Sequence, residues 1–178
     1  MTALSSSITL LWLSLQSEND RKEHRLLIER ITDKKQKQDI TRHILEALPE
    51  WFEVEQSREQ YIRECADWPY FAAVDDGKAV GFMCLKQTGK DTAELAVTGV
   101  LKEYHRKGLG RQMFEAARKA AADEGFSFMQ VKTVRMGMYE DYDRTNKFYI
   151  SLGFKEFEVI EDYWDKDNPC QIYVMSLK

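Results

Sequence analysis

Hydrophobic residues recur at helical spacing in several segments of the chain. Residues 39–48 carry their apolar side chains on one helical face, and Pro49 predicts the end of that helix. Shorter helices are predicted at residues 57–66, with Ser57 as the N-cap, and at 145–152. The longest predicted helix ends near residue 123. Its apolar stripe consists of Leu109, Met113, Phe114, Ala117, Ala120 and Ala121.

Runs of β-branched, aromatic and other apolar residues predict strands between these helices. Asp76-Gly77 predicts a hairpin turn between the first two strands, and residues 18–37 fit either a strand or an amphipathic helix. Residues 51–52 and 135–144 are predicted loops. The pattern therefore predicts an α/β or α+β sheet covered by helices. The predicted strands are residues 70–74, 78–86, 92–100, 128–134, 154–160 and 170–177.

The composition indicates one globular domain and argues against a nucleic-acid-binding protein. The chain has 178 residues, and its 26 Lys and Arg against 30 Asp and Glu give a net charge of −4. The apolar run at residues 8–15 is too short to span a bilayer, and no basic residue precedes it. We therefore expect a cytoplasmic protein without a membrane partner. Neither the three cysteines nor the three histidines have the spacing of metal ligands, so no metal is expected.

A basic, glycine-containing turn joins the strand at 92–100 to the longest helix. Residues 105–111 read His-Arg-Lys-Gly-Leu-Gly-Arg. A helix start leaves N–H groups unpaired, and Gly108 and Gly110 let an anion approach the backbone. The turn lacks the Gly-Lys-Ser/Thr of a P-loop, and Met113 stands where a dinucleotide fingerprint has its third glycine. By itself this turn is equally well explained as a loop with solvated charges.

Three segments in order resemble the GNAT superfamily of acyl-CoA-dependent N-acetyltransferases. Residues 101–111 are similar to the signature turn that wraps the pyrophosphate of coenzyme A, and residues 148–154, Phe-Tyr-Ile-Ser-Leu-Gly-Phe, resemble the family's F-Y-x-x-x-G-F segment. The strand ending in Thr98-Gly99-Val100 is where the family holds the pantetheine arm. The resemblance implies a mixed, mostly antiparallel sheet of about six to seven strands, helices on both faces, and a splayed strand pair for acetyl-CoA.

The resemblance also assigns the chain's parts. Residues 24–178 would form the N-acetyltransferase domain, and residues 1–23 an extension of unknown role. His105 departs from the usual Arg or Gln, and Tyr142 stands where the family often has Asn, so Thr145 or Asn146 could replace that contact. Gly99 suits the bulge that opens the cofactor slot. The implied acetyl-CoA ligands are Thr98, Gly99, Val100, His105, Arg106, Lys107, Gly108, Leu109, Gly110, Arg111 and Asn146.

Two residues are candidates for proton transfer. Tyr149 matches the family's general acid by position, and a phenol is protonated at neutral pH, so we favour this role over the alternative of a core tyrosine with a satisfied hydroxyl. Glu94 resembles the glutamate base of the histone-acetylating branch, and alternation predicts that it shares a strand face with Ala96 and Thr98. The alternatives are an exposed strand glutamate, another carboxylate, or water as the base.

Aromatic and acidic residues predict the acceptor pocket. The family builds it from two loops, which place Trp51, Phe52 and Trp164 here, and nearby carboxylates suit a cationic amine as well as they suit a solvated surface. The resemblance thus implies acetyl transfer from acetyl-CoA to a primary amine of a small molecule or peptide, by direct attack in a ternary complex. We expect a monomer or a homodimer. The alternative is a catalytically weak acyl-CoA-binding module that acts as a sensor or assembly partner.

Overall fold

A seven-stranded sheet runs through residues 26–178, the part of the chain that this computed structural model describes. Its spatial order is β1-β2-β3-β4-β5-β7-β6, and every neighbouring pair is antiparallel except β4 with β5. The predicted mixed, mostly antiparallel sheet is confirmed, whereas the extension at residues 1–23 lies outside the described residues. The strands are β1 (Leu26–Ile31), β2 (Tyr70–Asp75), β3 (Lys78–Gln87), β4 (Thr92–Val100), β5 (Phe128–Val134), β6 (Lys155–Asp165) and β7 (Asn168–Ser176).

Helices cover both faces of this sheet. Gly81 and Phe82 are consecutive residues of β3 and therefore face opposite sides. Met113 of α4 approaches Gly81, whereas Ile44 of α1 packs where Phe82 and its partner Gly99 lie. The helices are α1 (Lys34–Glu46), α2 (Pro49–Phe52), α3 (Glu55–Glu64), α4 (Leu109–Asp123) and α5 (Glu140–Ser151), with 3₁₀ turns at Cys65–Asp67 and Lys102–Tyr104. No helix within residues 26–178 is both long and apolar enough to cross a membrane.

Several helix starts differ from their predicted positions. α1 begins at Lys34 because the Asp33 side chain caps it, accepting a hydrogen bond from the Gln36 N–H at 2.7 Å. Pro49 opens the one-turn helix α2, where a missing N–H costs nothing, so the predicted loop at residues 51–52 is wrong. α5 begins at Glu140 rather than at residue 145. Its first turn contains acidic residues, which stabilise the positive end of the helix dipole.

β4 and β5 form the predicted splayed pair. Their parallel pairing joins Thr92–Leu95 to Phe128–Val131 and stops there, while β5 stays paired with β7 on its other side along its whole length. Just beyond this point β4 contains a bulge, because Leu95 pairs with Leu85 and Val97 with Cys84, which leaves Ala96 without a partner residue on β3. The predicted bulge at Gly99 is therefore wrong. We call the opening between the diverging strands the fork.

The bulge reverses the alternation of side chains along β4. Glu94 pairs with Lys86 of β3, and Thr98 pairs with Met83, so the two side chains lie on opposite faces of the sheet. Glu94 lies on the α1 side and Thr98 on the α4 side. The prediction that Glu94, Ala96 and Thr98 share one face is wrong, because the extra residue shifts the register by one.

Gly99 is required by packing rather than by the bulge. A Cβ atom at this position would lie 2.8 Å from Cγ2 of Ile44 and 3.3 Å from both Cδ1 of Leu48 and Cε1 of Phe82. The missing side chain therefore lets α1 pack directly against the backbone of β4. This close contact positions α1 and the short α2 that follows it over the fork.

We predict that Gly99→Ala lowers the free energy of unfolding by about 1–3 kcal/mol, because the added methyl overpacks the interface between α1 and β4. Urea unfolding measures the loss. Ile44→Leu removes the clashing Cγ2 branch and should restore part of the stability in the double variant. Gly89→Ala is the matched control, since its Cβ would meet nothing closer than 3.8 Å. A Gly99→Ala protein as stable as the control contradicts the assigned packing role.

Candidate active site

The start of α4 is an uncapped helix N-terminus at the mouth of the fork. Gly108 is the N-cap residue with φ +79°, and Arg106 has φ +62°. The first helical hydrogen bond runs from the Gln112 N–H to the Gly108 carbonyl at 3.1 Å. Within residues 26–178, the N–H groups of residues 109–111 therefore have no acceptor. A Cβ at Gly108 would meet only Gln112 Nε2, at 4.0 Å, so the space outside the turn is open to an anion.

The side chains of the predicted turn have different surroundings. Arg106 and Lys107 are exposed, with Lys107 Nζ 4.5 Å from the centroid of the Tyr104 ring. His105 Nε2 donates to the Val100 carbonyl at 2.7 Å and so ties the turn to the end of β4. Arg111 donates to the Ser151 carbonyl at 2.9 Å. Because Leu109 is buried in the core, it can offer an anion only its backbone N–H.

Backbone groups of β4 face the open side of the fork. The Leu101 N–H donates to the Val80 carbonyl of β3 at 2.9 Å, and antiparallel alternation then directs Gly99 toward β3 but Thr98 and Val100 toward the fork. The Thr98 hydroxyl is buried and has no hydrogen-bond partner among the described residues. The backbone of Thr98 and the N–H of Val100, but not Gly99, can therefore bind the amides of an extended ligand, since the Val100 carbonyl already accepts from His105. Together with the start of α4, this arrangement fits a diphosphate joined to an amide-bearing arm.

Tyr149 combines burial with an unpaired hydroxyl. It is 8% exposed on α5, and its ring packs against Phe148 and Phe154 at centroid distances of 5.6 and 6.1 Å. No hydrogen bond joins its hydroxyl to any of residues 26–178. Burial, with a smaller contribution from Tyr142, raises the pKa of Tyr149 well above its usual value. The phenol is thus protonated at neutral pH and can donate a proton.

Asn146 is a structural residue rather than a ligand of a bound molecule. Its Nδ2 donates to the carbonyls of Val134 at 2.9 Å and Tyr142 at 2.7 Å, and its Oδ1 accepts from the Tyr173 hydroxyl at 2.7 Å. The side chain is fully buried and its donors and acceptor are occupied. The predicted cofactor contact by Asn146 is therefore not available; the residue instead fixes α5 to β5 and β7.

Glu94 lies on the wall of the fork opposite α4, in an ion pair that the sequence did not predict. Its Oε2 accepts hydrogen bonds from Lys132 Nζ and from Gln130 Nε2, the latter at 2.8 Å. The side chains of Glu94 and Lys132 are only 11% and 17% exposed. Glu94 is therefore neither the exposed strand glutamate of the alternative interpretation nor an isolated base. The polar residues Gln130 and Lys132 alternate with apolar ones along β5, and this alternation could have placed them on one face.

Aromatic rings surround this ion pair. Lys132 Nζ lies 5.7 Å from the centroid of the Tyr163 ring. Burial, followed by the negative charge of Glu94, raises the pKa of Tyr61, which places Tyr61 near the same carboxylate. The predicted Phe52 packs edge-on against Tyr61 with centroids 6.1 Å apart. The sequence places Tyr163 in the predicted acceptor turn beside Trp164 but gives no sign of Tyr61, because Tyr61 approaches Glu94 and Tyr163 only through the packing of α3.

The other two predicted acceptor residues lie at the edges of this region. The Trp51 carbonyl accepts a hydrogen bond from the Tyr142 hydroxyl at 3.4 Å, which joins α2 to α5 across the fork. The Trp51 ring lies edge-on to His105. Trp164 is exposed, and its ring contacts Tyr163 rather than the ion pair. Tyr163 is therefore better placed than Trp164 to contact a ligand beside Glu94.

The chemistry of Cys170 argues against a cysteine nucleophile at this site. Cys170 is buried on β7, and its burial raises the pKa of the thiol to about 11, so the thiolate is scarce at neutral pH. Among residues 26–178, no three His, Cys, Asp or Glu side chains converge on a common point where a metal ion could bind.

Comparisons with known sequences match the resemblance seen in the motifs. A model of the Acetyltransferase (GNAT) family matches residues 37–154, more than half of the chain. The chain is 30% identical over 155 residues to an N-alpha-acetyltransferase of Sulfurisphaera tokodaii, a match covering 80% of this chain and 87% of that protein. It is 28% identical over 105 residues to an uncharacterized N-acetyltransferase of Chlorobaculum tepidum, covering 59% of this chain and 60% of that relative's length.

Solved structures share the fold at lower identity. A Desulfovibrio desulfuricans protein assigned to the GNAT family superposes with a TM-score of 0.75 and 17% identity, covering 86% of this chain and all of that one. An aminoglycoside 6'-N-acetyltransferase in complex with coenzyme A superposes with a TM-score of 0.67 and 21% identity, covering 85% of this chain and 97% of that one. At these identities the likeness establishes the fold.

We predict that Asn146→Ala destabilises the protein by about 2–4 kcal/mol, because the Tyr173 hydroxyl and the Val134 carbonyl lose a buried partner. Chemical unfolding measures this loss. Lys147→Ala, a change at the exposed neighbouring position on α5, is the control and should shift stability by less than about 0.5 kcal/mol. If Asn146→Ala keeps wild-type stability but weakens coenzyme A binding, the residue returns to the predicted role of cofactor ligand.

Proposed function

The chain belongs to the GNAT acetyltransferase family, and on that basis we propose that it transfers the acetyl group of acetyl-CoA to a primary amine of a small molecule or peptide. The observation that carries the proposal is the uncapped, glycine-led start of α4 beside the fork, against which α5, the helix of Tyr149, packs through Phe148 and Gly110. The test is release of free thiol from acetyl-CoA across a panel of primary amines. A panel that includes small amines, amino acids and peptides and yields no thiol contradicts the proposal.

Acetyl-CoA would supply the activated thioester, and this chain's backbone would hold the rest of the molecule. The N–H groups of residues 109–111 suit the diphosphate, since they combine unpaired donors with the positive end of the helix dipole. The backbone of Thr98 and the N–H of Val100 suit the amides of the pantetheine arm. A structurally similar aminoglycoside 6'-N-acetyltransferase was solved with coenzyme A, which supports coenzyme A as the type of ligand. Arg106 and Lys107 would add charge that solvent partly screens.

Glu94 would assist the acceptor amine. An alkylamine has a pKa near 10.4, so its deprotonation at pH 7 costs about 4.6 kcal/mol. The carboxylate of Glu94 can accept that proton through Oε1, because its hydrogen bonds with Lys132 and Gln130 both use Oε2. Both substrates must then be bound together, with the amine attacking the thioester directly.

Tyr149 would protonate the departing sulfur. Its raised pKa keeps the hydroxyl protonated, and its lack of a protein acceptor leaves the proton available to a thiolate. A module that only bound acyl-CoA would need the start of α4 and the fork but no proton donor. The unpaired phenol in a buried setting therefore favours the enzyme over the binding module.

We predict that Tyr149→Phe lowers kcat by about 10²–10⁴-fold while changing the KM for acetyl-CoA less than about threefold, because the hydroxyl acts only as the sulfur leaves. Thiol-release kinetics separate the two constants. Tyr173→Phe is the control: it also removes a buried hydroxyl, the one that donates to Asn146, and should reduce stability without this loss of kcat. If the Tyr149→Phe variant keeps the wild-type kcat, the proposed role of Tyr149 as proton donor is contradicted.

We predict that Gly108→Asp weakens coenzyme A binding at least about 100-fold, whereas Gly108→Asn weakens it only a few fold. Both side chains tolerate the positive φ of Gly108 comparatively well and have nearly the same size, so the difference isolates the repulsion between a carboxylate and the diphosphate. Isothermal titration calorimetry with coenzyme A measures both affinities. Equal affinities for the two variants would place the diphosphate elsewhere.

A further inference from the structure

The ion pair of Glu94 and Lys132 lies where β4 and β5 separate. Glu94 belongs to the last paired stretch of β4, and Lys132 is the first residue of β5 beyond its pairing with β4. Both side chains lie on the α1 side of the sheet, the side on which α2 and Tyr61 also lie. A thioester held in the fork would therefore have this pair as its nearest charged neighbours on the acceptor side.

The pair has hydrogen-bonding capacity that the described residues do not use. Glu94 Oε2 accepts both hydrogen bonds, from Lys132 and Gln130, while Oε1 has no partner within residues 26–178. The ammonium of Lys132 has three N–H donors, and one of them is occupied by Glu94. The site thus presents a carboxylate oxygen and ammonium protons side by side, an arrangement complementary to a ligand that carries both an ammonium and a carboxylate.

Charge balance favours such a ligand over a simple amine. Removing two charges from water is costly, and a buried ion pair is by itself a weak source of stability. The pair is neutral overall, so an alkylammonium gains attraction from Glu94 but meets repulsion from Lys132. A zwitterion gains at both groups. The neighbouring charged and titratable groups are Tyr61, Tyr163, Cys170 and Lys86, and Lys86 is directed to Glu64 at 3.8 Å.

We propose that the acceptor is a free α-amino acid, with its α-ammonium on Glu94 Oε1 and its α-carboxylate on Lys132 Nζ. This inference rests on the proposed acetyl transfer and specifies its substrate. The rings of Tyr61 and Tyr163 lie next to the pair, and Phe52 packs against Tyr61; these rings offer an apolar surface to an aromatic or long aliphatic side chain. Lys132 is then a specificity-determining residue.

The chemistry balances with acetyl-CoA as the only co-reactant. The α-nitrogen forms a bond to the acetyl carbon as the C–S bond breaks, and the products are an N-acetyl amino acid and coenzyme A. The nitrogen loses two protons from its ammonium form. Glu94 takes one and releases it to solvent; the other replaces the proton that Tyr149 gives to the sulfur.

The principal alternative acceptor is a peptide N-terminus, because the chain is similar to a protein named an N-alpha-acetyltransferase. A peptide N-terminus has an amide where a free amino acid has its carboxylate. It would therefore leave the two donors of Lys132 that Glu94 does not use without an anionic partner. Amino acid amides reproduce this difference within a small molecule, so each amino acid and its amide form a matched pair of substrates.

The test compares kcat/KM for the L-amino acids phenylalanine, methionine and leucine with kcat/KM for their amides, measured by thiol release with the full chain. In the wild type, at least one amino acid should exceed its amide by about 10- to 100-fold, the effect of one hydrogen bond between charged groups. Lys132→Met should reduce this ratio to near one, and Lys132→Arg should keep most of it. Lys132→Gln replaces Lys132→Met if that protein fails to fold.

Lys86→Met is the matched control, because Lys86 also pairs with a glutamate and lies over an aromatic ring, Trp68. It should leave the ratio unchanged. Amides used as well as or better than amino acids, or a ratio that survives both Lys132→Met and Lys132→Gln, overturn the inference but leave acetyl transfer intact. Thiol release with other primary amines but with none of the amino acids also overturns the inference and leaves acetyl transfer intact. No thiol release with any amine overturns the proposed function itself.

Discussion

The backbone hydrogen bonds between β4 and β5 stop at Leu95 and Val131, in the middle of a sheet. An interior strand rarely leaves its polar groups unpaired, so this interruption needs something polar to occupy it. The bulge at Ala96 turns β4 away from its neighbour, and His105 holds the diverging end by its bond to the Val100 carbonyl. Because α4 starts a few residues later, its free N–H groups lie at the same opening. The binding region is thus a direct consequence of lost strand pairing.

Much of the fold follows from patterns that reinforce one another. For α4, the preceding strand, the glycine turn and the apolar stripe all agree, and the structure buries every residue of that stripe. The bulge could not be placed in the same way, because bulges have no obligatory residue type and Ala96 is unremarkable. The sequence suggested Gly99 as the bulge residue, but the structure shows that its small size is needed for the close contact with Ile44. A glycine shows that space is short without showing which neighbour fills it.

The parts of the site that lie in local sequence motifs were predictable, whereas contacts between residues far apart in the sequence were not. Gly108 and Tyr149 come from local motifs, and the structure gives them a positive φ and a buried, unpaired hydroxyl respectively. Lys132 gains its significance only from Glu94, which is 38 residues away in sequence. Asn146 illustrates the opposite case, since a polar residue beside a binding motif is used entirely inside the core. The hydrophobic pattern of a sequence predicts helices and strands, but it does not show which polar side chains from distant segments will pair.

Two contacts join α4, which begins at the glycine turn, to α5, the helix that carries Tyr149. Arg111 reaches the last turn of α5, and the missing side chain of Gly110 makes room for the Phe148 ring, since a Cβ there would lie 2.9 Å from its Cζ. These two contacts link the position of the first turn of α4 to that of the last turns of α5. In the proposed reaction, a nucleotide bound at the first turn of α4 would also restrain the phenol of Tyr149, so part of the entropic cost of assembling the reactive complex would be met when the first substrate binds. Such a linkage gives a mechanical reason for the donor to enter before the acceptor.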